Sequence, residues 1–265
     1  MDDFFASVLT GNTLTVWATL FGLLSMRYLV ISGVAALILY GWWRKRFFQS
    51  KLQQRWPRRE DYVREIVYSF LTFGVFAGVA VLVLAGPLRP YTQIYGDVAE
   101  HGWVYFFSSL LLVLLIHDAY FYWAHRLMHH PRIYRFVHLT HHRSTNPTPW
   151  AAFSFHPIEA VVEAGIIVFI AFLFPVHTGV ILLFVLVMTV YNVYGHLGWE
   201  LYPAGMARHP LGRWINTSIS HNQHHRHVHS NYGLYFLWWD RWFGTLHPDY
   251  EAAFERRARS EPVIV

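Results

Sequence analysis

The histidines of this sequence are spaced in a way that suits metal binding. The chain has 265 residues, of which 18 are histidines and only 16 are acidic. Histidines three or four positions apart on a helix project from the same face, and imidazole is a common ligand of transition metals. The pattern therefore predicts a metal site. Eight histidines form one HxxxH motif and two HxxHH motifs: His125 and His129; His138, His141 and His142; His221, His224 and His225.

A ninth imidazole, that of His196, follows the last long apolar stretch and is expected to join these ligands. Nine ligands exceed the four that a structural zinc ion takes, so the sequence predicts two metal ions with a position left for water or oxygen. Two further candidate ligands are Asn192, four residues before His196, and His156, which precedes Pro157. The alternative for both is a buried polar group that only forms hydrogen bonds.

The three motifs contain no Asp or Glu, although two divalent ions on neutral imidazoles would carry a charge of about +4. Carboxylates close to the site are therefore expected to orient the ligand N–H groups and offset this charge. Asp118 is the first candidate, because it lies seven residues before His125 and two turns along one helix face. Glu159, Glu200 and Asp240 are the others. The alternative for each is a solvated charge or an arginine partner.

The identity of the metal follows from the setting of the site more than from its ligands, because imidazole suits zinc, copper, iron and nickel alike. A lipid-facing protein favours redox work on an apolar substrate, which iron performs and zinc does not. One alternative is a di-zinc membrane hydrolase, but the motifs lack the glutamate of a His-Glu-x-x-His site. Another is a metal-binding or transport protein, which would place ionisable residues inside the membrane spans. The absence of cysteine excludes iron–sulfur clusters and thiolate zinc sites.

The elements that position these histidines are predicted to be membrane helices. The chain is 54% hydrophobic and 14% charged, against about 25% charged in soluble domains. We therefore expect an all-α integral membrane protein with about four transmembrane helices and a cytoplasmic helical cap that carries the di-metal site. A bilayer core needs about 20 apolar helical residues. Apolar stretches cover about 14–43, 66–85 and 103–123, and a pair at 161–174 and 179–194 forms a hairpin that enters the bilayer in part.

Charge predicts how these spans are oriented. Seven basic residues lie within the 16 positions of 44–59, whereas the loop after the second span has one, Arg89. The positive-inside rule places the basic linker and both HxxHH motifs on the cytoplasmic side. A solvated amphipathic linker is the alternative. The net charge of +5 is assigned to lipid headgroups and not to nucleic acid. Arg27 interrupts the first span, so it either snorkels or faces protein. The predicted domains are an anchor region (1–100), a catalytic domain (101–250) and a tail (251–265).

The motifs and their neighbours resemble the sterol desaturase/fatty acid hydroxylase superfamily over about residues 100–250. The resemblance lies in 117–129 and 138–142, in Pro147-Thr-Pro-Trp and Phe155-His-Pro-Ile-Glu, in 221–225, in Asn231-Tyr-Gly, and in Trp239-Asp-Arg-Trp-Phe-Gly-Thr. It is closest in look to the sterol C-5 desaturase branch. The resemblance implies a non-haem di-iron centre, O2 as co-substrate and a lipid substrate that is desaturated or hydroxylated. It also implies an external electron donor, such as a cytochrome b5-like protein, a ferredoxin or a reductase. Some members carry a histidine where Asn192 stands.

Overall fold

The computed structural model describes residues 11–258, and this part of the chain is almost entirely helical. A π-helical turn (Leu37–Trp42) continues the first helix, and the only described sheet pairs β1 (Ile94–Tyr95) with β2 (Val176–His177) in parallel. The all-α prediction is therefore confirmed. The helices are α1 (Thr13–Ala36), α2 (Arg59–Leu84), α3 (Gly102–Met128), α4 (Tyr134–Val137), α5 (Leu139–His142), α6 (Pro157–Leu173), α7 (Thr178–Gly195), α8 (Ser218–His227), α9 (Trp238–Trp242) and α10 (Tyr250–Ala258). Short 3-10 turns cover Arg89–Tyr91, Val98–Glu100, Pro149–Phe153, Met206–Arg208 and Gly212–Trp214.

Four of these helices are long and apolar enough to cross a membrane, as predicted. They are α1 with its π-helical turn, α2, α3 and α7. Their outer faces expose large apolar side chains such as Val30, Leu111 and Val190, which a bilayer can cover. The remaining apolar helix, α6, has 17 residues, fewer than the about 20 that span a bilayer core. It packs against α2 and α3, in keeping with a hairpin that enters the membrane in part.

Two helices extend further toward the histidine motifs than the apolar stretches predict. The third apolar stretch ends near residue 123, but α3 continues to Met128, so His125 lies on a membrane helix. The residues of this added turn, from Ala124 to Met128, are mostly good helix formers. Helix α2 begins at Arg59, where the Asp61 carboxylate accepts the Arg58 backbone N–H at 3.0 Å. Such capping stabilises a helix start that hydropathy alone does not show.

An aromatic core fixes the segment that follows the second histidine motif. Tyr28, Phe73 and Phe153 are fully or almost fully buried, and the Tyr28 ring packs edge to face against both phenylalanines. The Tyr28 hydroxyl also donates a hydrogen bond to the Trp150 carbonyl at 2.9 Å. Because Trp150 and Phe153 belong to the 3-10 turn after that motif, α1 and α2 hold the turn in place.

The basic linker between α1 and α2 is not only a solvated, lipid-facing segment. Lys51 has no exposed surface, and its ammonium donates to the Asn146 Oδ1 at 3.0 Å and to the Gln53 carbonyl at 3.1 Å. Arg44 and Lys45 are exposed. At least one basic residue of the linker therefore packs and forms hydrogen bonds inside the protein. The cytoplasmic location of the linker stays a prediction.

Candidate metal centre

All nine histidines predicted as ligands converge in two adjacent groups. Within each group, one nitrogen from every histidine lies within 4.8 Å of the corresponding nitrogens of the others. All nine side chains are at least nine-tenths buried. The first group contains His125, His129, His138, His142 and His224, and the second contains His141, His196, His221 and His225.

Each HxxHH motif contributes to both groups. In each motif, the histidines at positions one and five belong to one group, and the histidine at position four belongs to the other. His141 therefore lies in the second group and His224 in the first, apart from the other two histidines of their motifs. On a helix, positions i and i+4 differ in direction by about 40°, whereas i and i+3 differ by about 60° on the other side. The two motifs thus interlock, and the two groups cannot form independently of each other.

Four chain segments position these side chains. The C-terminal turn of α3 carries His125 and is followed by His129 as its C-cap. Helix α5 carries the second motif, and His196 is the C-cap residue of α7. Helix α8 carries the third motif, and its start is fixed by Thr217, whose hydroxyl accepts the Ser220 N–H at 3.2 Å. The ends of two membrane helices therefore meet two short helices of the cap.

The ring nitrogens of the second group are so close together that hydrogen bonds cannot pair all of them. The Nδ1 of His196 lies 2.7 Å from the Asn192 carbonyl. A carbonyl can only accept, so Nδ1 carries the hydrogen and the Nε2 of a neutral ring carries a lone pair. That Nε2 lies 3.0 Å from the Nε2 of His221, 3.1 Å from that of His225 and 3.3 Å from that of His141. One lone pair cannot accept from three donors at once, whereas one cation can bind all four nitrogens.

The first group shows the same arrangement. The Nδ1 atoms of His125 and His224 donate to the carbonyls of Tyr232, at 3.0 Å, and Ser230, at 2.7 Å. Their Nε2 atoms are therefore free to bind a metal ion. The Nε2 of His224 is buried and forms no hydrogen bond with the described residues. The Nε2 atoms of His125 and His138 are 3.0 Å apart. Ligands about 2.1 Å from one metal ion lie about 3 Å from each other, so the site fits a bound ion.

Burial keeps these rings in the form that binds metal. It lowers the pKa of His196 to about 4 and holds the pKa values of His138, His141 and His221 well below the usual range, with neighbouring histidines adding to the shift in the last three. The imidazoles are therefore neutral at physiological pH. Neutral imidazole, and not imidazolium, is the metal ligand.

A carboxylate and a hydrogen-bonded loop orient histidine rings of the first group. The Oε1 of Glu159 lies 2.7 Å from the Nδ1 of His138, which is the contact expected of an acid that orients a ligand ring. The carboxylate of Asp240 accepts the backbone N–H groups of Tyr232, at 2.9 Å, and Gly233, at 2.8 Å. It thereby holds the Tyr232 carbonyl that accepts from His125. The backbone carbonyls of this loop carry no residue-type signal, so the sequence did not point to them.

Other predicted residues take different positions. Asp118 is buried, and its carboxylate accepts the backbone N–H groups of Tyr235 and Phe236 and the Trp238 indole N–H, at 2.8, 3.2 and 2.8 Å. Among residues 11–258 it forms no hydrogen bond with a candidate ligand and no ion pair with an arginine. Glu200 accepts the Tyr194 hydroxyl at 2.5 Å and likewise contacts none of the candidate ligands.

The two further candidate ligands lie at the margin of the site. His156 lies outside both groups, where its Nδ1 accepts the Ile158 N–H at 3.3 Å and caps α6. Asn192 contacts the second group through its backbone carbonyl, and it lines a small cavity beside His196 and His221.

The linker between α1 and α2 connects the segments that carry the histidines. The Gln53 side-chain amide donates to the Thr145 carbonyl at 2.7 Å and to the Asn222 Oδ1 at 3.2 Å. Thr145 follows the second motif, and Asn222 lies within the third. The Leu52 N–H donates to the carbonyl of Gly198, two residues after His196, at 2.9 Å. We name residues 51–55 the linker clasp, because this segment bridges three ligand-bearing segments.

The sequence of this chain is similar to a known family model and to known enzymes named desaturase and oxidase. A family model described as fatty acid hydroxylase matches residues 110–245. A Delta(7)-sterol 5(6)-desaturase of Gibberella zeae is 30% identical over 200 residues, which are 76% of this chain and 57% of that protein. The lathosterol oxidase of Mus musculus is 32% identical over 188 residues, which are 70% of this chain and 61% of that protein. The human lathosterol oxidase is 28% identical over 82% of this chain and 74% of its own length.

These comparisons confirm the resemblance predicted from the motifs, including the greater similarity to the sterol C-5 desaturase branch. The chain spans less than two thirds of the first two relatives, 57% and 61% of their lengths. No solved structure matches this chain significantly. All nine candidate ligands fall inside the matched residues 110–245.

Proposed function

Because this chain belongs to the fatty acid hydroxylase family, we propose that it is a membrane-bound di-iron oxidoreductase that desaturates or hydroxylates an unactivated C–H position of a sterol or another lipid. The proposal extends to O2 as co-substrate and to electrons from an external donor, for example a cytochrome b5-like protein, a ferredoxin or a reductase. Relatives named desaturase and oxidase support an oxidative reaction. The four apolar helices support a substrate that enters from the membrane.

The observation that carries this proposal is the convergence of lone pairs in two groups of histidines. Groups of five and four imidazoles support two metal ions, one in each group. Because each HxxHH motif contributes to both groups, the two ions would be bound next to each other. Two iron ions, when bound, would supply the redox chemistry that an unactivated C–H bond requires. The family's oxidative chemistry favours iron over zinc.

The residues of this chain would bind, orient and shield. The nine imidazoles would hold the ions, and Glu159 would fix the ring of His138 by accepting its Nδ1–H at 2.7 Å. The Tyr232 and Ser230 carbonyls would fix His125 and His224 in the same way. Burial of all nine rings would keep bulk water from a reactive centre, which limits side reactions.

A di-zinc hydrolase is less well supported by the same geometry. Such an enzyme needs a carboxylate that activates a metal-bound water. The carboxylate in contact with a candidate ligand is that of Glu159, and its Oε1 is already bonded to His138. Asp118 and Glu200 form their hydrogen bonds elsewhere.

The proposed function is tested by metal analysis of anaerobically purified protein together with comparative lipid profiling of cells with and without the gene. We expect about two iron ions per chain and a lipid whose content of double bonds or hydroxyl groups depends on the gene. His141→Ala should lose iron and activity. His130→Ala is the matched control, because His130 is exposed and lies outside both groups. One metal ion per active chain, or full activity in His141→Ala, would refute the proposal.

A further inference from the structure

A continuous series of aromatic rings leads from the first histidine group toward the protein surface. The centroid of the Tyr232 ring lies 5.1 Å from that of His129, and the ring also contacts those of His125 and His224. The same ring lies 6.3 Å from that of Tyr122, which has no exposed surface. Tyr232 therefore connects three candidate ligands to a second buried phenol.

From Tyr122 the series continues to two exposed indoles. The ring of Trp123 lies 5.2 Å from that of Tyr122. Trp239 stacks on Tyr122 at 5.9 Å and contacts Trp242 at 5.6 Å. The side chains at the two ends, Trp123 and Trp242, are 45% and 62% exposed. We name Tyr232, Tyr122, Trp239, Trp123 and Trp242 the aromatic path, because together they join the metal centre to the surface.

Ordinary packing does not account for the whole path. Tryptophans are common where a membrane helix meets the lipid headgroups, which accounts for exposed indoles such as Trp123. It does not account for the rings that lie between these indoles and the ligands, all of which are phenols or indoles. These are the ring types that lose an electron most readily. Trp239 and Trp242 also belong to the Trp-Asp-Arg-Trp-Phe-Gly-Thr motif, in which the metal centre gives a role only to Asp240.

The hydroxyl of Tyr122 has a neighbour that can take its proton. The Thr245 Oγ1 donates its hydrogen to the Asp240 Oδ1 at 2.7 Å, so it accepts the hydrogen of the Tyr122 hydroxyl across 3.0 Å. A phenol that loses an electron becomes strongly acidic. These two hydrogen bonds let its proton shift toward the carboxylate and return when the electron is replaced. The buried Tyr122 can therefore be oxidised and reduced again without exchanging a proton with water.

The chemistry of the rings decides the direction of electron flow. Strong biological oxidants can remove an electron from a phenol or an indole, whereas adding an electron to either ring needs a potential that biological donors do not reach. Stepwise transfer along the path therefore carries electrons from the surface to an oxidised metal centre. Neighbouring rings of the path are in contact, with centroids 5.2 to 6.3 Å apart. Transfer between rings in contact is far faster than a single step across the whole path.

We propose, on the basis of the redox metal centre inferred above, that the aromatic path protects this centre by giving it one electron when it is oxidised and no lipid is bound. Tyr232 loses the electron, which is then replaced in turn from Tyr122, Trp239 and Trp242. The exposed indole of Trp242 is left one electron short and releases its N–H proton to water, which gives a neutral radical. A one-electron reductant such as ascorbate or a thiol returns the electron and the proton. Trp123 is a second exit of the same kind, and no ligand imidazole is oxidised.

The first test exposes iron-loaded, full-length protein to O2 and a chemical reductant without lipid. Peptide mass spectrometry then locates the oxidised side chains, and we expect hydroxylated or ring-opened tryptophan at Trp123 and Trp242. Tyr122→Phe should lower this oxidation about tenfold or more, because a benzene ring is much harder to oxidise than a phenol and rates fall exponentially with the added barrier. Oxidation should then move to the ligand histidines. Trp239→Phe should protect Trp242 but not Trp123, a difference that a purely structural role would not produce.

Two controls belong to this test. The ring of Tyr134 contacts candidate ligands but, within residues 11–258, no tyrosine or tryptophan ring, so Tyr134→Phe should leave oxidation of the exposed indoles unchanged. Trp103 is 62% exposed at the other end of α3 and reports oxidation that does not pass through the path. Equal oxidation of Trp103 and Trp242 in the wild type, or unchanged oxidation in both Tyr122→Phe and Trp239→Phe, would overturn the proposal.

A second test needs no metal and separates this proposal from the proposed function. Leu127 is 63% exposed one helical turn after Trp123, and Leu127→Cys gives the cysteine-free chain a single thiol. A ruthenium photo-oxidant attached there should oxidise Trp123 after a light pulse and then yield a tyrosyl radical in metal-free protein. Tyr122→Phe should remove most of this radical signal. A chain that shows the transfer but binds no iron would refute the proposed function and leave electron transfer along the path intact. Iron-loaded protein that oxidises lipid but shows no such transfer would overturn the path alone.

Discussion

At the scale of single residues, hydrogen-bond partners distinguish two buried carboxylates that composition alone treats alike. Glu159 contacts the ring nitrogen of a candidate ligand, His138, at 2.7 Å. Asp118 instead accepts from two backbone N–H groups and an indole N–H between Tyr235 and Trp238. The first therefore acts on the site, and the second holds the fold around it.

Replacing each of the two carboxylates by the corresponding amide should distinguish a role at the candidate metal site from a role in the stability of the fold. Glu159→Gln should lower iron affinity or turnover by about 10- to 100-fold, as is typical when a group that orients a metal ligand is changed. Asp118→Asn should lower the free energy of unfolding by about 1–3 kcal/mol, because one acceptor oxygen of a buried network is lost. Thermal unfolding and iron content of both variants provide the check. The assignment fails if Asp118→Asn loses iron while unfolding like the wild type.

Acid should destabilise the metal-free protein. Burial lowers the pKa of His196 to about 4, against about 6.5 in an unfolded chain. The unfolded state therefore binds the proton first, and stability that is fully present above pH 6.5 is lost as the pH falls from 6.5 toward 4. Each such histidine contributes about 1.4 kcal/mol per pH unit in this range. Denaturant unfolding between pH 7 and pH 5 measures it, and an unchanged midpoint would contradict it.

At the scale of elements, the linker clasp joins the segments that bear the ligands. Lys51 is fully buried and bonds to Asn146, and Gln53 bridges the loop after the second motif to α8. A segment whose composition indicates a basic membrane linker thus contributes to the geometry of the candidate metal site. Sequence pattern did not reveal this role, because the contacts join residues about 90 to 170 positions apart.

Removal of the clasp should loosen the metal site. Lys51→Met keeps the chain volume but leaves the Asn146 Oδ1 without this donor, so iron affinity should fall about tenfold or more by analogy with other supporting contacts of metal sites. Iron titration and the spectrum of the bound metal give the readout, and Lys51→Arg should recover part of the affinity. Lys45→Met, on the exposed part of the same linker, should bind iron like the wild type. Equal affinity in both Met variants would refute the role of the clasp.

At the scale of the whole molecule, the four apolar helices bring the histidine segments to one end of the bundle. The side of the membrane at which this end lies is predicted from charge: seven basic residues in the linker against one in the loop after α2. Cysteine labelling tests it directly, because the chain has no native cysteine. Lys45→Cys should react only with a reagent admitted to the cytoplasm, and Ala99→Cys with an impermeant external reagent. The reverse pattern would overturn the cytoplasmic assignment.

The sequence alone determined the elements and the ligand types. Apolar length and charge predicted about four membrane helices, and the HxxxH and HxxHH spacing predicted eight candidate ligands, which the structure brings together with the ninth, His196. These features are local, since helix periodicity and hydropathy act over a few turns. Helix ends near Arg59 and Met128 were less predictable, because caps and tertiary packing decide them.

Only the tertiary structure decided how the ligands divide and what supports them. The crossing of His141 and His224 between groups, the pairing of Glu159 with His138, and the contact of Tyr122 with Tyr232 all join segments distant in the chain. The spacing of two residues predicts whether their side chains lie on the same face of a helix, but it does not predict which neighbouring helix packs against that face. Packing of the helices against each other resolves that choice: in the observed arrangement all nine imidazoles are buried, and their nitrogens face two common centres.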